Sequence, residues 1–174
     1  MITEIKIDFP VTRIGLVSDT HIPTRARSLP KALFTVFQDV QLILHAGDLV
    51  EARVLAELGT LAPVYAVGGN MDPPEIKARL GRKKLIRIGT HAIGLIHGDG
   101  LAGTTRRRAE EAFAALHPDA IVFGHNHAPL CEYNSMGILL FNPGSAVDRR
   151  RAPRCSCGIL DLEKKAIHGR IVYF

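Results

Sequence analysis

Seven side chains of metal-binding type lie in five short segments, and each segment falls where a predicted strand gives way to a loop. They supply two carboxylates, one carboxamide and four imidazoles, from Asp19, His21, Asp48, Asn70, His97, His125 and His127. Such a set is sufficient for two adjacent metal ions. Because Gly-Asp and Gly-Asn are also common turn dipeptides, the inference depends on all five segments together. The pattern predicts a two-metal hydrolase.

The elements that must position these side chains alternate between strand and helix through the first two thirds of the chain. Short apolar runs predict strands at 13–17, 42–44, 64–67, 84–88, 92–96 and 120–123. Apolar residues three or four positions apart predict helices at 30–38, 52–58 and 105–116. The last of these helices would bury Ala109, Ala112, Phe113 and Leu116. This alternation is typical of an α/β domain.

The last third of the chain shows strand patterns only. Strands are predicted at 130–133, 138–141, 156–160 and 166–173. Between two of them, Pro143 and Gly144 suit the central positions of a type II turn. We therefore expect the sheet to finish in an antiparallel meander.

The spacing of the ligands also predicts how they meet. In α/β sheets, functional groups gather outside the carboxyl ends of the strands. In the pairs Asp19 with His21 and His125 with His127, an extended backbone would point residues two apart toward the same side, so that each pair could hold one metal or two adjacent metals. Glycines 47, 69 and 124 directly precede ligands, which suits a backbone that turns sharply close to an ion. Ligands that are distant in sequence should therefore converge at one edge.

Length and composition predict one domain over residues 1–174, because 174 residues with 47% hydrophobic content can bury a sizeable core. Three cysteines without a CxxC pair make a disulfide framework improbable. Charges at every second position of the N-terminal segment exclude a signal peptide, and no apolar stretch has the length of a membrane span. We therefore expect a cytoplasmic protein that does not bind membranes.

The net charge of +5 and the pI near 9.4 come partly from arginines 106–108 and from the segment Arg149 to Arg154. An anionic substrate would be attracted by this balance. Nucleic-acid binding is less favoured, since the chain has no Trp and little aromatic interleaving. For the Arg149 to Arg154 segment two interpretations stay open: contact with a substrate phosphate, or a solvated or subunit-contacting loop.

The order of these motifs resembles the calcineurin-like metallophosphoesterase superfamily, in particular its small single-domain phosphodiesterases, which are related to the retromer subunit of nucleated cells. The resemblance spans residues 14 to 147. It is carried by VSDTH at 17–21, HAGD at 45–48, VGGNMD at 67–72, LIHGDG at 95–100, GHNH at 124–127 and NPGS at 142–145.

The resemblance implies a four-layer αββα sandwich of two mixed β-sheets flanked by helices. It also implies two divalent ions, the first held by Asp19, His21 and His127. Asn70, His97 and His125 would hold the second, and Asp48 would bridge the pair. Asp48, Asn70 and His97 form the expected catalytic group, which holds the nucleophile and stabilises charge in the transition state. Because the donors are nitrogen and oxygen, manganese is the favoured metal, with Ni, Fe, Co and Zn as alternatives.

The resemblance implies that a metal-bridging hydroxide attacks phosphorus in line with the leaving oxygen. One position departs from the broader superfamily, where the residue after the ligand asparagine is commonly a histidine that protonates the leaving group. Here this residue is Met71, and a thioether cannot donate a proton. The small branch also lacks that histidine and favours phosphodiesters, so we expect cleavage of a small phosphodiester.

Two alternatives to this function stay open. The retromer subunit keeps the fold and presents surfaces to partner proteins, so a protein-binding scaffold is one. A nuclease is the other, because it would share the diester chemistry. Members of the group associate with themselves, so a homodimer or homotetramer is the oligomeric form that the analogy allows.

Other polar residues near the motifs lie outside the proposed ligand set. Asp72 and Asp99 are candidate acceptors for the second ring nitrogen of a ligand histidine, or they cap turns. The remaining histidines are expected to be structural or surface residues, namely His45, His91, His117 and His168.

Overall fold

A computed structural model describes all 174 residues. The strands are β1 (Thr3–Ile7), β2 (Arg13–Val17), β3 (Leu42–His45), β4 (Val64–Ala66), β5 (Lys83–Ile88), β6 (His91–Ile96), β7 (Ala120–Val122), β8 (Leu130–Tyr133), β9 (Leu139–Asn142), β10 (Ser156–Leu162) and β11 (Ile167–Tyr173). The helices are α1 (Lys31–Val36), α2 (Arg53–Gly59), α3 (Pro74–Leu80) and α4 (Thr105–Phe113). Most predicted elements are therefore present, with bounds shifted by a few residues.

The strands form two mixed sheets. One has six strands in the order β1-β5-β6-β7-β9-β8, and the other has five in the order β11-β10-β2-β3-β4. Strands β2, β3 and β4 are parallel, as are β6, β7 and β9, whereas β10 and β8 run antiparallel to their neighbours β2 and β9.

Three hydrophobic clusters hold the layers together. The largest lies between the two sheets and contains residues of both, such as Leu16 and Leu44 from one sheet and Leu95 and Val122 from the other. A second cluster packs α1, α2 and α3 on the five-stranded sheet. The third packs α4 on the six-stranded sheet, chiefly through Phe113. Helices, sheet, sheet and helix thus form four layers, which confirms the expected αββα sandwich.

The register of the parallel strands brings the functional loops together. Val17 at the end of β2 pairs with His45 at the end of β3, which in turn pairs with Ala66 of β4. In the other sheet, Leu95 of β6 pairs with Val122 of β7. The carboxyl ends of neighbouring strands therefore lie side by side, and the loops that follow them share one edge.

The expected antiparallel meander is wrong. Strands β8 and β9 form one antiparallel pair and β10 and β11 form another, but the first pair belongs to the six-stranded sheet and the second to the five-stranded sheet. The 142–145 turn and the loop after it carry the chain from one sheet to the other. Both pairs can then bury an apolar face in the space between the sheets.

Two elements have no counterpart in the sequence prediction. Strand β1 is an edge strand parallel to β5, and its alternating charges are the solvent-facing half of a strand pattern. Helix α3 begins with Pro74 at its first position, where a proline needs no hydrogen-bonding N–H. Helix α4 ends earlier than predicted, and Leu116 is 43% exposed and lies outside the core.

None of the four helices has the length and hydropathy that crossing a membrane requires; the longest, α4, has nine residues.

Candidate metal centre

All seven predicted ligands meet at the shared edge of the two sheets. Asp19 and His21 follow β2, Asp48 follows β3, and Asn70 lies after β4. From the six-stranded sheet, His97 follows β6, and the loop after β7 carries the two remaining histidines. Residues up to 108 positions apart in the chain thus form one cluster of nitrogen and oxygen atoms.

One half of the cluster is deeply buried and consists of Asp19, His21 and His127. Asp19 Oδ1 lies 3.3 Å from His127 Nε2 and 3.8 Å from His21 Nε2. The two histidine Nε2 atoms are 3.2 Å apart. These three side chains form a triad of the kind that can hold a metal ion, since ligands about 2.1 Å from one ion lie roughly 3–3.5 Å from each other.

The other half is shallower and consists of Asn70, His97 and His125. Asn70 Oδ1 lies 3.2 Å from His97 Nε2 and 3.0 Å from His125 Nδ1. His97 is buried, whereas His125 is half-buried and Asn70 is exposed. The half therefore opens toward solvent on the side where a substrate would enter.

Asp48 lies between the two halves. Its Oδ2 is 3.2 Å from His97 Nε2 in the shallow half and 3.7 Å from His21 Nε2 in the deep half. Its Oδ1 accepts a hydrogen bond of 2.7 Å from the backbone N–H of Met71, which fixes the plane of the carboxylate. One oxygen of Asp48 is thus oriented by the protein and the other faces both sets of donors.

Backbone carbonyls orient the two most buried of the ligand histidines. His127 Nδ1 donates to the carbonyl of Asp148 at 2.6 Å, and His97 Nδ1 donates to the carbonyl of Ala46 at 2.7 Å. Since a carbonyl accepts only from a protonated nitrogen, Nδ1 of each ring carries a hydrogen and Nε2 is the nitrogen that faces the cluster. Both imidazoles are therefore oriented as metal ligands would be, and Nε2 can bind an ion once any proton on it has left.

Asp72 and Asp99, the two carboxylates considered as acceptors for a ligand histidine, make other contacts. Asp72 accepts hydrogen bonds from the backbone N–H groups of Asp48, Val50 and Gly69, so it caps the turn that carries Asp48. Asp99 forms an ion pair with Arg82. Neither carboxylate bonds to a ligand histidine, and the turn-cap interpretation is confirmed for Asp72.

The environment of Asp19 tests whether a cation fits. Its Oδ2 accepts hydrogen bonds from the Ser18 hydroxyl and from the backbone N–H of His125. Its Oδ1 is the one buried side-chain polar atom that has no hydrogen-bond partner. Leaving a buried carboxylate oxygen unpaired costs free energy, and a divalent cation among imidazole and carboxylate donors would remove that cost. The residues present fit a metal ion.

The charge states support the same conclusion. Burial raises the pKa of Asp19, but the close approach of His127 and His21 outweighs burial and holds this pKa well below its usual range. Burial lowers the pKa of His97, but its contact with Asp48 and the charge of Asp19 raise it to about 9. The site thus concentrates negative charge that is balanced by a proton on His97, and a bound metal ion would replace that proton.

The backbone at the ligands is not extended. Asp19, His21, Asp48, His125 and His127 have φ angles of 53°, 42°, 59°, 72° and 57°, in the left-handed region. Non-glycine residues there cost about 1 kcal/mol or more each, and such strain concentrates at functional sites. The expected extended backbone is therefore wrong at these residues. Asp19 and His21 contribute to one half of the cluster, whereas His125 and His127 contribute to different halves, and the prediction allowed both arrangements.

Two of the glycines before ligands are required by close approach. A Cβ atom on Gly69 would overlap Asp48 Oδ1, and one on Gly124 would overlap the Ser18 hydroxyl and crowd Asp19 Oδ2. Any side chain at these positions would displace a carboxylate of the cluster. The expectation that the backbone comes close to the site at these glycines is confirmed.

Some supporting residues were not predicted. The Ser145 hydroxyl donates to the carbonyl of Asp19, and the Asn142 amide donates to the carbonyl of Gly124. Both belong to the 142–145 motif. This motif was part of the family resemblance, so the sequence did indicate that the segment lies near the ligands. The carbonyl of Asp148 has no such signal, because any residue type supplies a carbonyl.

Histidines outside the ligand set have structural or surface positions, as predicted. His45 is fully buried, accepts a hydrogen bond from the N–H of Gly47 and contacts the Thr20 hydroxyl. Burial lowers the pKa of His45 to about 3, so this ring is neutral. His91 contacts the carbonyl of Glu163, and His168 is exposed beside the Glu163 carboxylate.

The protein is thus an αββα sandwich. Its oxygen and nitrogen donors cluster between the carboxyl ends of the two sheets and form a candidate metal centre. A profile described as the calcineurin-like phosphoesterase superfamily domain matches residues 12–165. The chain therefore belongs to the calcineurin-like phosphoesterase superfamily. A probable metallophosphoesterase of Methanothermobacter thermautotrophicus is 42% identical over 152 residues, which are 87% of this chain and 87% of that protein.

Solved structures show the same fold. The Vps29 protein of Entamoeba histolytica, crystallised in complex with zinc, superposes with a TM-score of 0.73 at 24% identity, over 92% of this chain and 98% of that one. A structure described as a novel archaeal phosphodiesterase gives a TM-score of 0.66 at 26% identity, over 92% of this chain and 99% of that one. Similar folds thus occur both in a vacuolar sorting protein and in an enzyme.

Proposed function

We propose that this protein is a divalent-metal-dependent phosphodiesterase. The observation that carries the proposal is the position of Asp48, whose Oδ2 faces a histidine of the deep half and a histidine of the shallow half. A carboxylate so placed is suited to bridge two cations. An isolated ion would need only one of the two donor sets.

The donors divide between two ions. Asp19, His21 and His127 would hold the first, Asn70, His97 and His125 would hold the second, and Asp48 would contact both. When bound, a pair of divalent ions supplies an acidified water as nucleophile and positive charge for the phosphoryl oxygens. Manganese is the preferred metal for this oxygen- and nitrogen-donor set, with Ni, Fe, Co and Zn as alternatives.

The chain itself orients these donors and shapes the reaction. Asp48, Asn70 and His97 form the proposed catalytic group, because Asp48 Oδ2 and Asn70 Oδ1 each lie 3.2 Å from His97 Nε2. Beside them, the side chain of Met71 is 59% exposed, and its thioether has no proton to give. No side chain at this position can protonate the leaving oxygen, so its developing negative charge would have to be stabilised by the bound ions.

The relatives support this proposal. One is named as a probable metallophosphoesterase and one as an archaeal phosphodiesterase, while the zinc complex of the Vps29 protein places a divalent metal on the same fold. The scaffold alternative is weakened by the full set of ligands, since without a cation the site keeps an unpaired buried carboxylate oxygen.

The test compares hydrolysis of bis-p-nitrophenyl phosphate with that of p-nitrophenyl phosphate by the manganese-reconstituted protein. We expect preferential turnover of the diester, and preferential turnover of the monoester would contradict the proposal. Metal analysis of the same sample should show two ions per chain. Fewer than two, without turnover of either ester, would favour a scaffold. Turnover of oligonucleotides in preference to small diesters would favour a nuclease.

A further inference from the structure

A cavity of about 570 Å³ opens directly beside the metal centre. One wall is the ligand loop, from His125 to Pro129, and the opposite wall is the loop from Arg150 to Pro153. Tyr173, at the end of β11, contributes a further part of the lining. Because His125 and His127 line this cavity, a molecule in it would reach the proposed ions directly. We call it the arginine pocket.

The arginine pocket carries positive charge that no neighbouring carboxylate neutralises. Eight other arginines of the chain form ion pairs with carboxylates. The four arginines of the loop after Asp148 have no carboxylate partner for their guanidinium groups, namely Arg149, Arg150, Arg151 and Arg154. Of these, Arg150 and Arg151 line the pocket. A guanidinium without an acidic partner beside a cavity is suited to bind an anion through paired N–H donors.

The loop that carries these arginines is attached to the ligand loop. Arg150 Nη1 donates to the carbonyl of His125 at 3.3 Å, and the carbonyl of Asp148 accepts from His127. The Ser145 hydroxyl accepts from the backbone N–H of Asp148 at 2.9 Å. The arginines are therefore placed relative to the metal centre by the same contacts that orient its ligands.

The remaining surface of the arginine pocket suits a flat ring. Ala128, Pro129, Ala152 and Pro153 provide apolar contacts, and the Tyr173 side chain is 41% exposed. Aromatic and apolar faces of this kind stack on nucleobases without selecting one base. The volume is within the range of pockets that hold small ligands, and exceeds what a lone phosphate group needs.

We propose that the arginine pocket binds one ester arm of the substrate, and that this arm carries a second phosphate group and a ring, as in a 5′-phosphorylated dinucleotide. In this arrangement the scissile diester lies at the metal centre, Arg151 contacts the second phosphate and Tyr173 contacts the ring. The inference rests on the proposed phosphodiesterase function and names the substrate class of the same site.

The first test compares kcat/KM for the dinucleotides pApA and ApA, which differ only in the terminal phosphate. We expect the wild-type protein to prefer pApA by about tenfold or more, since charge-assisted contacts are the strong ones. Arg151→Ala should abolish most of this preference. Arg154→Ala is the matched control, because it removes the same charge from the same loop outside the pocket lining, and it should keep the preference. A wild-type ratio near one, or equal losses in the two variants, would overturn the inference.

A binding measurement separates this inference from the proposed function. Calorimetric titration of the metal-reconstituted protein with AMP and with inorganic phosphate involves no turnover, and the 5′-phosphate and ring of AMP correspond to the second phosphate and ring of the proposed arm. Arg151→Ala should weaken the binding of AMP by about tenfold and change the binding of inorganic phosphate much less, because the ions hold inorganic phosphate. Arg154→Ala should change neither. If AMP binding depends on Arg151 but no diester is hydrolysed, the proposed function fails and the pocket assignment stands. If both variants weaken the binding of both anions equally, the loop acts only through its overall positive charge, and the pocket assignment is wrong.

Discussion

The two halves of the metal centre differ in how firmly the protein holds them. In the deep half, Asp19, His21 and His127 are 0%, 4% and 1% exposed. In the shallow half only His97 is comparably buried, His125 is half-buried and Asn70 is exposed. The same types of donor therefore occupy two different environments only a few ångströms apart.

Hydrogen bonds follow the same division. Asp19 is oriented by Ser18, by the N–H of His125 and, through its carbonyl, by Ser145. In contrast, the Asn70 side chain contacts only the other ligands, and its carbonyl accepts from the exposed amine of Lys77 at 2.8 Å. The deep half is thus held in place by hydrogen bonds to the protein, whereas under the proposed function the shallow half would be completed by an ion. A preorganised site loses less entropy on binding, so we expect the deep ion to be the tighter one.

We expect the largest loss of metal binding and turnover from a substitution of Asp48, which lies between the two halves. Asp48→Asn keeps an oxygen that can accept from Met71 but removes the negative charge between the two donor sets. We expect both ions to be lost or greatly weakened and turnover to fall by more than about 100-fold, since changes even beyond the direct ligands cost 10–100-fold. Metal analysis and diesterase assays measure this, with circular dichroism to show the fold. Two retained ions with near-native activity would refute the bridging role.

The next prediction separates the halves directly. His127→Ala and His125→Ala truncate the same residue type two positions apart, one in each half. We expect His127→Ala to lower the affinity for the more tightly bound ion by about 100-fold. His125→Ala should lower the affinity for the more exchangeable ion by about tenfold. Stepwise competition with a chelator, followed by metal analysis, resolves the two affinities. If the two variants lose the same ion to the same extent, the division into a deep and a shallow half is wrong.

The clustering of the candidate ligands was predictable from the sequence because their chemistry and the strands before them are both visible there. Asp48 and His97 each follow a continuous apolar run, and such runs mark buried strands in α/β folds. The layer order followed from the resemblance and was confirmed. What the sequence shows well is therefore which donors exist and which edge they share.

Contacts made by the backbone were not predictable. The carbonyl of Asp148 orients His127, but carbonyls leave no mark on residue type. Likewise, left-handed φ angles at Asp19 and His21 contradict local preference and arise because the surrounding sheets impose them. Charges at Glu4 and Lys6 obscured β1, although alternation of charged and apolar residues is what an edge strand requires.

Close packing under the deep half gives a third prediction. Gly124→Ala places a methyl group against Ser18 and Asp19, so we expect a loss of about 1–3 kcal/mol in the free energy of unfolding. Gly59→Ala is the matched control, because no atom lies within 4 Å of its added methyl group and Gly59 ends helix α2. This variant should be neutral or slightly stabilising. Urea denaturation measures both, and equal stability of the two variants would show that the contact at Gly124 relaxes freely.

The smallest expected effect concerns the open edge of the shallow half. Met71→His introduces a group that can protonate a leaving alkoxide, at a side chain that is 59% exposed and so can change without disturbing the deep half. We expect turnover of glycerol 2-phosphate, whose alkoxide leaving group needs a proton, to rise relative to turnover of p-nitrophenyl phosphate by up to about tenfold. This is below the 10²–10⁴-fold of an optimised general acid, because the new imidazole is not held in place by neighbours. Met136→His is the matched control, since Met136 is 61% exposed in the turn between β8 and β9. An unchanged ratio in Met71→His would mean that preference between esters is set by how each ester is bound, with proton supply at this position having no part in it.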